Sequence, residues 1–248
     1  MPLRRAPDVR EACAEVYGPD APPAVGPLQE LLGLIGAHEW REKGVHVPAL
    51  GGRIHPHHGV FSPIRGEYVD LVAEAPLPGD RLAFDVGTGT GVLAAVLARR
   101  GVRHVVATDL DARAVECAGA NLARLGLDDR VEVVRTDLFP AGRAPLVVCN
   151  PPWLPAKPVT PLDHAVYDPG GRMLRGFLDG LAGHLEPEGR AGSSCRTWPS
   201  TSACARGPSC WRRSSGRGCA WPPASTSRPG TAGPATPPTR CTRPARPR

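Results

Sequence analysis

Leu82-Ala-Phe-Asp-Val-Gly-Thr-Gly-Thr-Gly-Val-Leu-Ala-Ala-Val-Leu-Ala-Arg-Arg100 is the stretch from which the rest of the chain can be read. A short apolar run ends in glycines at alternate positions, Gly87, Gly89 and Gly91, and passes directly into Ala, Leu and Val at helical spacing. That order predicts strand, tight turn, helix. Lacking a Cβ, the three glycines let the backbone turn sharply and lie close to a ligand, at which the first amides of the helix from Val92 are directed. The spacing separates two ligand classes. Dinucleotide loops require G-x-G-x-x-G, whereas the position three after Gly89 is Val92. Asp85, just ahead of the loop, suits a cationic ligand better than a pyrophosphate.

Downstream, Val102-Arg-His-Val-Val-Ala-Thr-Asp109 predicts a second strand ending in an acid. Asp109 stands 20 residues beyond Gly89, where a parallel βαβ unit brings a carboxylate to ribose hydroxyls. Asp111 can cap the next helix, whose Ala114, Val115, Ala118, Leu122 and Leu125 mark a buried face, with Cys117 packed as a small apolar residue. Arg130-Val-Glu-Val-Val-Arg-Thr-Asp137-Leu138-Phe139 predicts a third strand, again ending in an acid.

The fourth, Ala144-Pro-Leu-Val-Val-Cys149, runs into Asn150-Pro151-Pro152-Trp153. An amide or exocyclic amino nitrogen is a poor nucleophile because its lone pair is delocalised. A site acting on it must grip the NH₂ with two acceptors. Asn150 Oδ1 and the Pro151 carbonyl can be those acceptors, the prolines fix the backbone, and Trp153 can stack on a planar group. Residues 155–169 then read as a loop, and Gly170-Gly171 precedes a helix with Met173, Leu174, Phe177, Leu178, Leu181 and Leu185 on one face.

Ahead of the glycine loop, two short helices are expected over Val9–Tyr17 and Pro27–Trp40, separated by Gly18-Pro-Asp-Ala-Pro-Pro23. Leu28, Leu31, Leu32 and Ile35 repeat at helical spacing and are read as core. Residues 44–63 suggest a hairpin about Gly51-Gly52. His55, His57 and His58 resemble a metal cluster, but no Cys or carboxylate stands at ligand spacing beside them and Pro56 interrupts the segment, so no metal is expected.

Composition bounds the reading. The 248 residues suffice for one α/β domain. No run of about 20 apolar residues occurs, and Met1-Pro2-Leu3-Arg4-Arg5 leads into no apolar signal core, so a cytoplasmic protein without membrane attachment is expected. The net charge of +6 is unevenly placed: residues 191–248 hold 10 of the 30 Lys+Arg and none of the 24 Asp+Glu, leaving 1–190 at −4. Five of the eight cysteines lie in the tail, at spacings that match neither a zinc site nor a disulfide framework.

From Gly189 onward the chain uses only Ala, Arg, Cys, Gly, Pro, Ser, Thr and Trp. Those are the residues whose codons carry C or G at the second base. A gene with nearly invariant G/C at the wobble position, read one base late, produces this pattern, so a frameshift is expected at about Glu188–Ala191. Synonymous codons for Ser193 to Trp211, read one base earlier, permit Leu-Ile-Leu-Ser-Asp-Leu-Ala-Glu-His-Leu-Gly-Leu-Arg-Thr-Arg-Ala-Glu-Leu-Leu, a buried strand and an amphipathic helix. The alternative is an authentic Arg/Pro-rich tail that binds nucleic acid.

The glycine loop resembles motif I of the class I S-adenosylmethionine-dependent methyltransferases, and Asn150-Pro-Pro-Trp153 resembles their Asn-Pro-Pro-Tyr motif. Ala165-Val-Tyr-Asp-Pro-Gly-Gly171 with its following helix resembles the release-factor glutamine methyltransferases and the small-domain RNA methyltransferases. Val60-Phe61-Ser62-Pro63 with Tyr68 is similar to the segment that leads into the cofactor pocket in these enzymes, with Gly66-Glu67 in place of their acid-Thr pair. The resemblance spans about Val45 to Arg190. It implies S-adenosylmethionine held by Asp85, Gly87, Thr88, Gly89, Gly91, Asp109, Leu110, Asp137, Leu138 and Asn150, with Asp137 on the adenine amino group and Leu138 beside the ring. Catalysis is assigned to Asn150, Pro151, Pro152 and Trp153, and the acceptor is a protein glutamine or a base in RNA or DNA.

The expected fold is α/β, a Rossmann-like methyltransferase sheet flanked by helices and cut off after about strand four. Three parts are expected: residues 1–43 as a helical segment, 44–190 as an incomplete methyltransferase domain, and 191–248 as a frameshifted, disordered tail. An NAD-dependent oxidoreductase is the alternative enzyme, disfavoured by the loop spacing. A non-catalytic nucleic-acid-binding protein is the other alternative.

Overall fold

The computed structural model describes residues 9–22, 25–64, 66–152 and 166–193. Helix α1 (Val9–Tyr17) packs on α2 (Leu28–Lys43). Glu15 on α1 takes His38 Nδ1 at 2.9 Å and Arg41 at 2.6 Å. Leu34 lies on the same α2 face as those two partners and is buried. This corrects the expected core stripe: Leu28 and Leu32 are 69% and 60% exposed. Apolar residues surround α2 on several sides, so spacing alone does not select a face; the ion pairs to Glu15 do.

The expected hairpin forms from β1 (Val45–Val47) and β2 (Gly52–Ile54), with Val47 opposite Gly52. Gly51 supplies the left-handed turn residue at φ +58°. Helix α3 (Glu67–Glu74) then leads into a parallel sheet built from β3 (Leu82–Val86), β4 (His104–Asp109), β5 (Val131–Arg135), β6 (Ala144–Cys149) and β7 (Leu185–Ser193). Helices α4 (Val92–Arg99), α5 (Ala112–Leu125) and α6 (Arg172–His184) complete the fold. The strand order is β5-β4-β3-β6-β7.

Alternation along β3 divides the core. Ala83 faces α3, α4 and α5, with Val96, Leu97, Val69 and Leu122 around it. Phe84 and Val86 face α6, with Phe177 buried against them. Every residue of α4 from Val92 to Ala98 is buried. Eight residues are too few to hold a helix in water, so α4 owes its existence to this packing, each fully buried Val or Leu contributing about 1.5–3 kcal/mol.

The structure adds a fifth strand to the four expected. β7 pairs in parallel with β6, Val147 beside Ala191 and Cys149 beside Ser193. The ladder joins backbone groups, so Ala191-Gly192-Ser193 can extend it without large side chains. The sheet therefore runs one strand beyond the expected cut-off after about strand four, and β7 takes the edge position. The pairing is irregular between Ala144 and Leu146, and opposite that break Glu188 adopts φ +64°, costly for a residue with a Cβ. Among the described residues no helix is long and apolar enough to cross a membrane.

Candidate cofactor and acceptor site

Register assembles the site. Val86 pairs with Thr108 on one side and with Cys149 on the other. The next residues of the three strands, Gly87, Asp109 and Asn150, therefore emerge at one level. The chain proceeds from β3 outward to β4 and β5, then returns to β6 on the other side of β3, so this level lies at a switch point of the sheet, where ligands bind in open α/β folds. A cavity of about 580 Å³ opens there.

Of the residues expected to act, Gly87, Thr88, Gly89, Asp109, Leu110, Asp137, Leu138, Asn150 and Pro152 line this cavity. Asp85, Gly91 and Pro151 do not line it, and Trp153 lies outside the described residues. Gly91, at φ +79°, has another task. A Cβ there would stand 3.2 Å from both Cα and Cβ of Ala118, so the glycine lets the start of α4 press against α5.

Asp85 is 1% exposed beneath the loop. Its Oδ2 accepts from Thr88 Oγ1 at 2.6 Å and from the Ala94 amide at 3.0 Å. It thus fastens the loop to the first turn of α4, which has no capping side chain of its own. Oδ1 has no protein partner. Burial pushes the carboxyl up to about 6, against the hydrogen bonds from Thr88 and Ala94.

Asp109 braces the opposite side. Oδ2 accepts from the Gly89 amide at 2.9 Å and Oδ1 from the Asp111 amide at 3.0 Å, while burial raises its pKa. Asp137 pairs with Arg172 at 2.6 Å. Leu138 is held at φ +64°, its carbonyl accepting from Thr108 Oγ1 at 2.5 Å. α6 makes room for this segment: a Cβ on Gly176 would stand 2.6 Å from Leu138 Cδ1, and one on Gly180 would stand 2.6 Å from the Phe139 ring.

Sequence reasoning missed several contributors. Asn121, 1% exposed, accepts from the His55 amide at 2.8 Å and donates to the carbonyls of His55 and Thr90 at 3.2 and 3.1 Å. It ties the segment after β2 to the glycine loop. His55 Nδ1 donates to the Arg41 carbonyl at 2.6 Å. Cys117 is buried as expected and also polar in its contacts, accepting from the His57 amide at 3.3 Å. Phe61 and Tyr68, singled out from the sequence, line the cavity with ring centroids 6.4 Å apart. Burial and the charge of Asp85 raise the Tyr68 hydroxyl pKa. Tyr167, Asp168, Arg172 and Met173 complete the wall. Tyr167 and Asp168 belong to the stretch Ala165–Gly171 that carries a family resemblance, and Met173 to the apolar face of the following helix, but no side-chain pattern assigned any of the four a role at the site.

The residues present fit a nucleoside bearing a cationic tail. Gly87 and Gly89, at φ +71° and +55°, line the cavity in a left-handed conformation that lets the loop backbone face a ligand closely. Asp109 and Asp137 line the cavity as hydrogen-bond acceptors of the kind that hydroxyls and an amino group would need, and the buried charge of Asp85 is of the sign that favours a sulfonium or ammonium nearby.

Parallel sheet, glycine turn, and acids at the ends of successive strands make this a Rossmann-like α/β domain, and the comparisons place its likeness among S-adenosylmethionine-dependent methyltransferases. Residues 51–165 match the model of the methyltransferase small domain family. A release factor glutamine methyltransferase from Cereibacter sphaeroides is 38% identical over 140 residues, 51% of this chain and 50% of that one. A tRNA1(Val) (adenine(37)-N6)-methyltransferase from Vibrio parahaemolyticus is 36% identical over 95 residues, 37% of this chain and 40% of the relative. A solved ribosomal protein L11 methylase from Lactobacillus delbrueckii subsp. bulgaricus superposes with a TM-score of 0.45 at 22% identity, covering 62% of this chain and 72% of its own. The chain spans half or less of the length of the first release factor glutamine methyltransferases it matches.

Asp85 makes stability depend on pH. Its folded pKa of about 6 exceeds the 3.8 of a carboxyl in water, so the folded state binds the proton more tightly. The stabilising contribution is full below pH 4 and is lost as pH rises through 6, on the order of 3 kcal/mol in total. Urea denaturation at pH 4 to 7.5 should show that loss in the wild type and a flatter profile in Asp85→Asn. A cation bound near the carboxylate reverses the preference, so cofactor affinity should rise over the same interval.

Proposed function

We propose that this chain is an S-adenosylmethionine-dependent N-methyltransferase acting on an amide or exocyclic amino nitrogen, in a protein glutamine or a nucleic-acid base. The observation that carries the reading is the register that sets Gly87, Asp109 and Asn150 side by side around one cavity. The relatives support it, since glutamine and adenine N6 are both nitrogens conjugated to a π system. They give no support to the oxidoreductase or to binding of nucleic acid through the tail. A cytoplasmic location and the absence of a metal belong to the same proposal.

The bound cofactor supplies an electrophilic methyl on a sulfonium. The glycine loop and the first amides of α4 hold its tail, Asp109 the ribose hydroxyls, Asp137 the adenine amino group and Leu138 the ring. Asn150 Oδ1 and the Pro151 carbonyl accept the two hydrogens of the acceptor NH₂. That grip would turn the nitrogen lone pair toward the methyl that the cofactor supplies and would offset the positive charge gathering on the nitrogen. The nitrogen then releases one proton to solvent. Trp153 is assigned to stacking on the planar acceptor.

Domain limits are part of the proposal: 1–43 helical, 44–190 the methyltransferase domain, 191–248 read out of frame. The eight-letter composition of the tail supports the last. Calorimetry tests the central reading: S-adenosylmethionine should bind and NAD should not. Binding of NAD alone would overturn it.

A further inference from the structure

α6 begins with two closures. Met173 places its Cε 2.5 Å from where a Cβ on Gly87 would stand, so its thioether lies against the glycine loop. The preceding residue, Arg172, reaches Asp137 at the end of the segment after β5. Consecutive residues in one helical turn thus meet the cavity at two points, the loop assigned to the cofactor tail and the acid assigned to its adenine.

The location of that turn is not set by the helix. Gly170 and Gly171 precede it in the left-handed region, at φ +69° and +68°, and α6 has no capping side chain at Gly171. Asp168 reaches across both glycines. It is 6% exposed, and its two oxygens accept separately from the Met173 amide at 3.0 Å and the Leu174 amide at 3.1 Å. These are the second and third amides of the helix, the donors that a helix start leaves without partners. A carboxylate at this end also opposes the helix dipole favourably. The same aspartate lines the cavity, beside Tyr167.

We infer that Asp168 is a positioning residue for cofactor binding: by holding the Met173 and Leu174 amides it fixes the first turn of α6 as a clamp on Gly87 and Asp137. This rests on the methyltransferase reading of the cavity. With asparagine at 168, one oxygen is replaced by an NH₂ that faces an amide donor, so one of the two bonds is lost without change of shape. Glutamate keeps both acceptors on a longer arm.

The test uses the full-length, frame-restored form, the one expected to be soluble and active, as wild type. In Asp168→Asn, amide hydrogen exchange at Met173 and Leu174 should accelerate about tenfold or more, and the calorimetric Kd for S-adenosylhomocysteine should weaken about tenfold. The KM for S-adenosylmethionine should rise in parallel, with kcat within about threefold, and Asp168→Glu should restore most of the affinity. A role confined to overall stability would lower the melting temperature and the active fraction while leaving Kd and KM unchanged; that result overturns the inference. Unchanged exchange at Met173 and Leu174 overturns it too, whatever the cofactor affinity. If the wild type binds no S-adenosylhomocysteine, the methyltransferase reading fails and the cofactor role of Asp168 falls with it, whereas tight wild-type binding matched by Asp168→Asn removes only the role of Asp168.

Discussion

Asn150→Ala is expected to lower methyl transfer by about 10²–10³-fold, the cost typical of removing one positioned polar group from a reacting centre. Cofactor affinity should change far less. The loop that holds the cofactor is built by Asp85 on Thr88 and Ala94 and by Asp109 on Gly89, and none of these bonds involves Asn150. The acceptor nitrogen, by contrast, has one side-chain acceptor assigned to it. Its loss leaves the NH₂ free to rotate, with its lone pair returned to the π system. Asn150→Asp, which keeps an oxygen at the same place, should retain more activity than the alanine variant. The measurement is single-turnover transfer of labelled methyl alongside calorimetry. Undiminished transfer in Asn150→Ala with normal cofactor binding would falsify the assigned role.

Restoring the reading frame at about codon 190 is expected to have the second large effect, turning a poorly soluble or inactive chain into a soluble, active one. β7 is the outermost strand of the sheet, and its far edge pairs with no strand among the described residues. An unpaired parallel edge exposes a row of amides and carbonyls that invites pairing with other chains. In the given frame, no Leu, Ile, Val or Phe follows Gly189, so the sequence supplies no aliphatic strand to pair with that edge. The frame one base earlier permits Leu-Ile-Leu in place of Ser193-Ser194-Cys195, a strand able to bury both faces, then an amphipathic helix. Sedimentation and calorimetry on the two forms would decide: equal solubility and equal cofactor binding end the frameshift reading, as would a nucleotide sequence with no such overlapping frame.

The sequence determined the strand-loop-helix unit at Leu82–Arg100, the acids Asp109 and Asp137, and the strand running into Asn150. Each is a local pattern, in which apolar alternation or helical spacing ends at a residue whose chemistry is plain. It also placed the hairpin about Gly51-Gly52 and the limits of α1. Tertiary structure alone decided which polar groups hold those units together. Asn121 reaches His55 across 66 residues, and Asp85 proves to be a buried fastener of the loop as much as a charge near a ligand. The faces of α2, the glycines of α6 that admit Leu138 and Phe139, and the fifth strand were likewise settled by packing. Periodicity reports which residues turn inward along one element. Which inward residue meets which partner depends on register between elements far apart in the chain, and no local spacing encodes that.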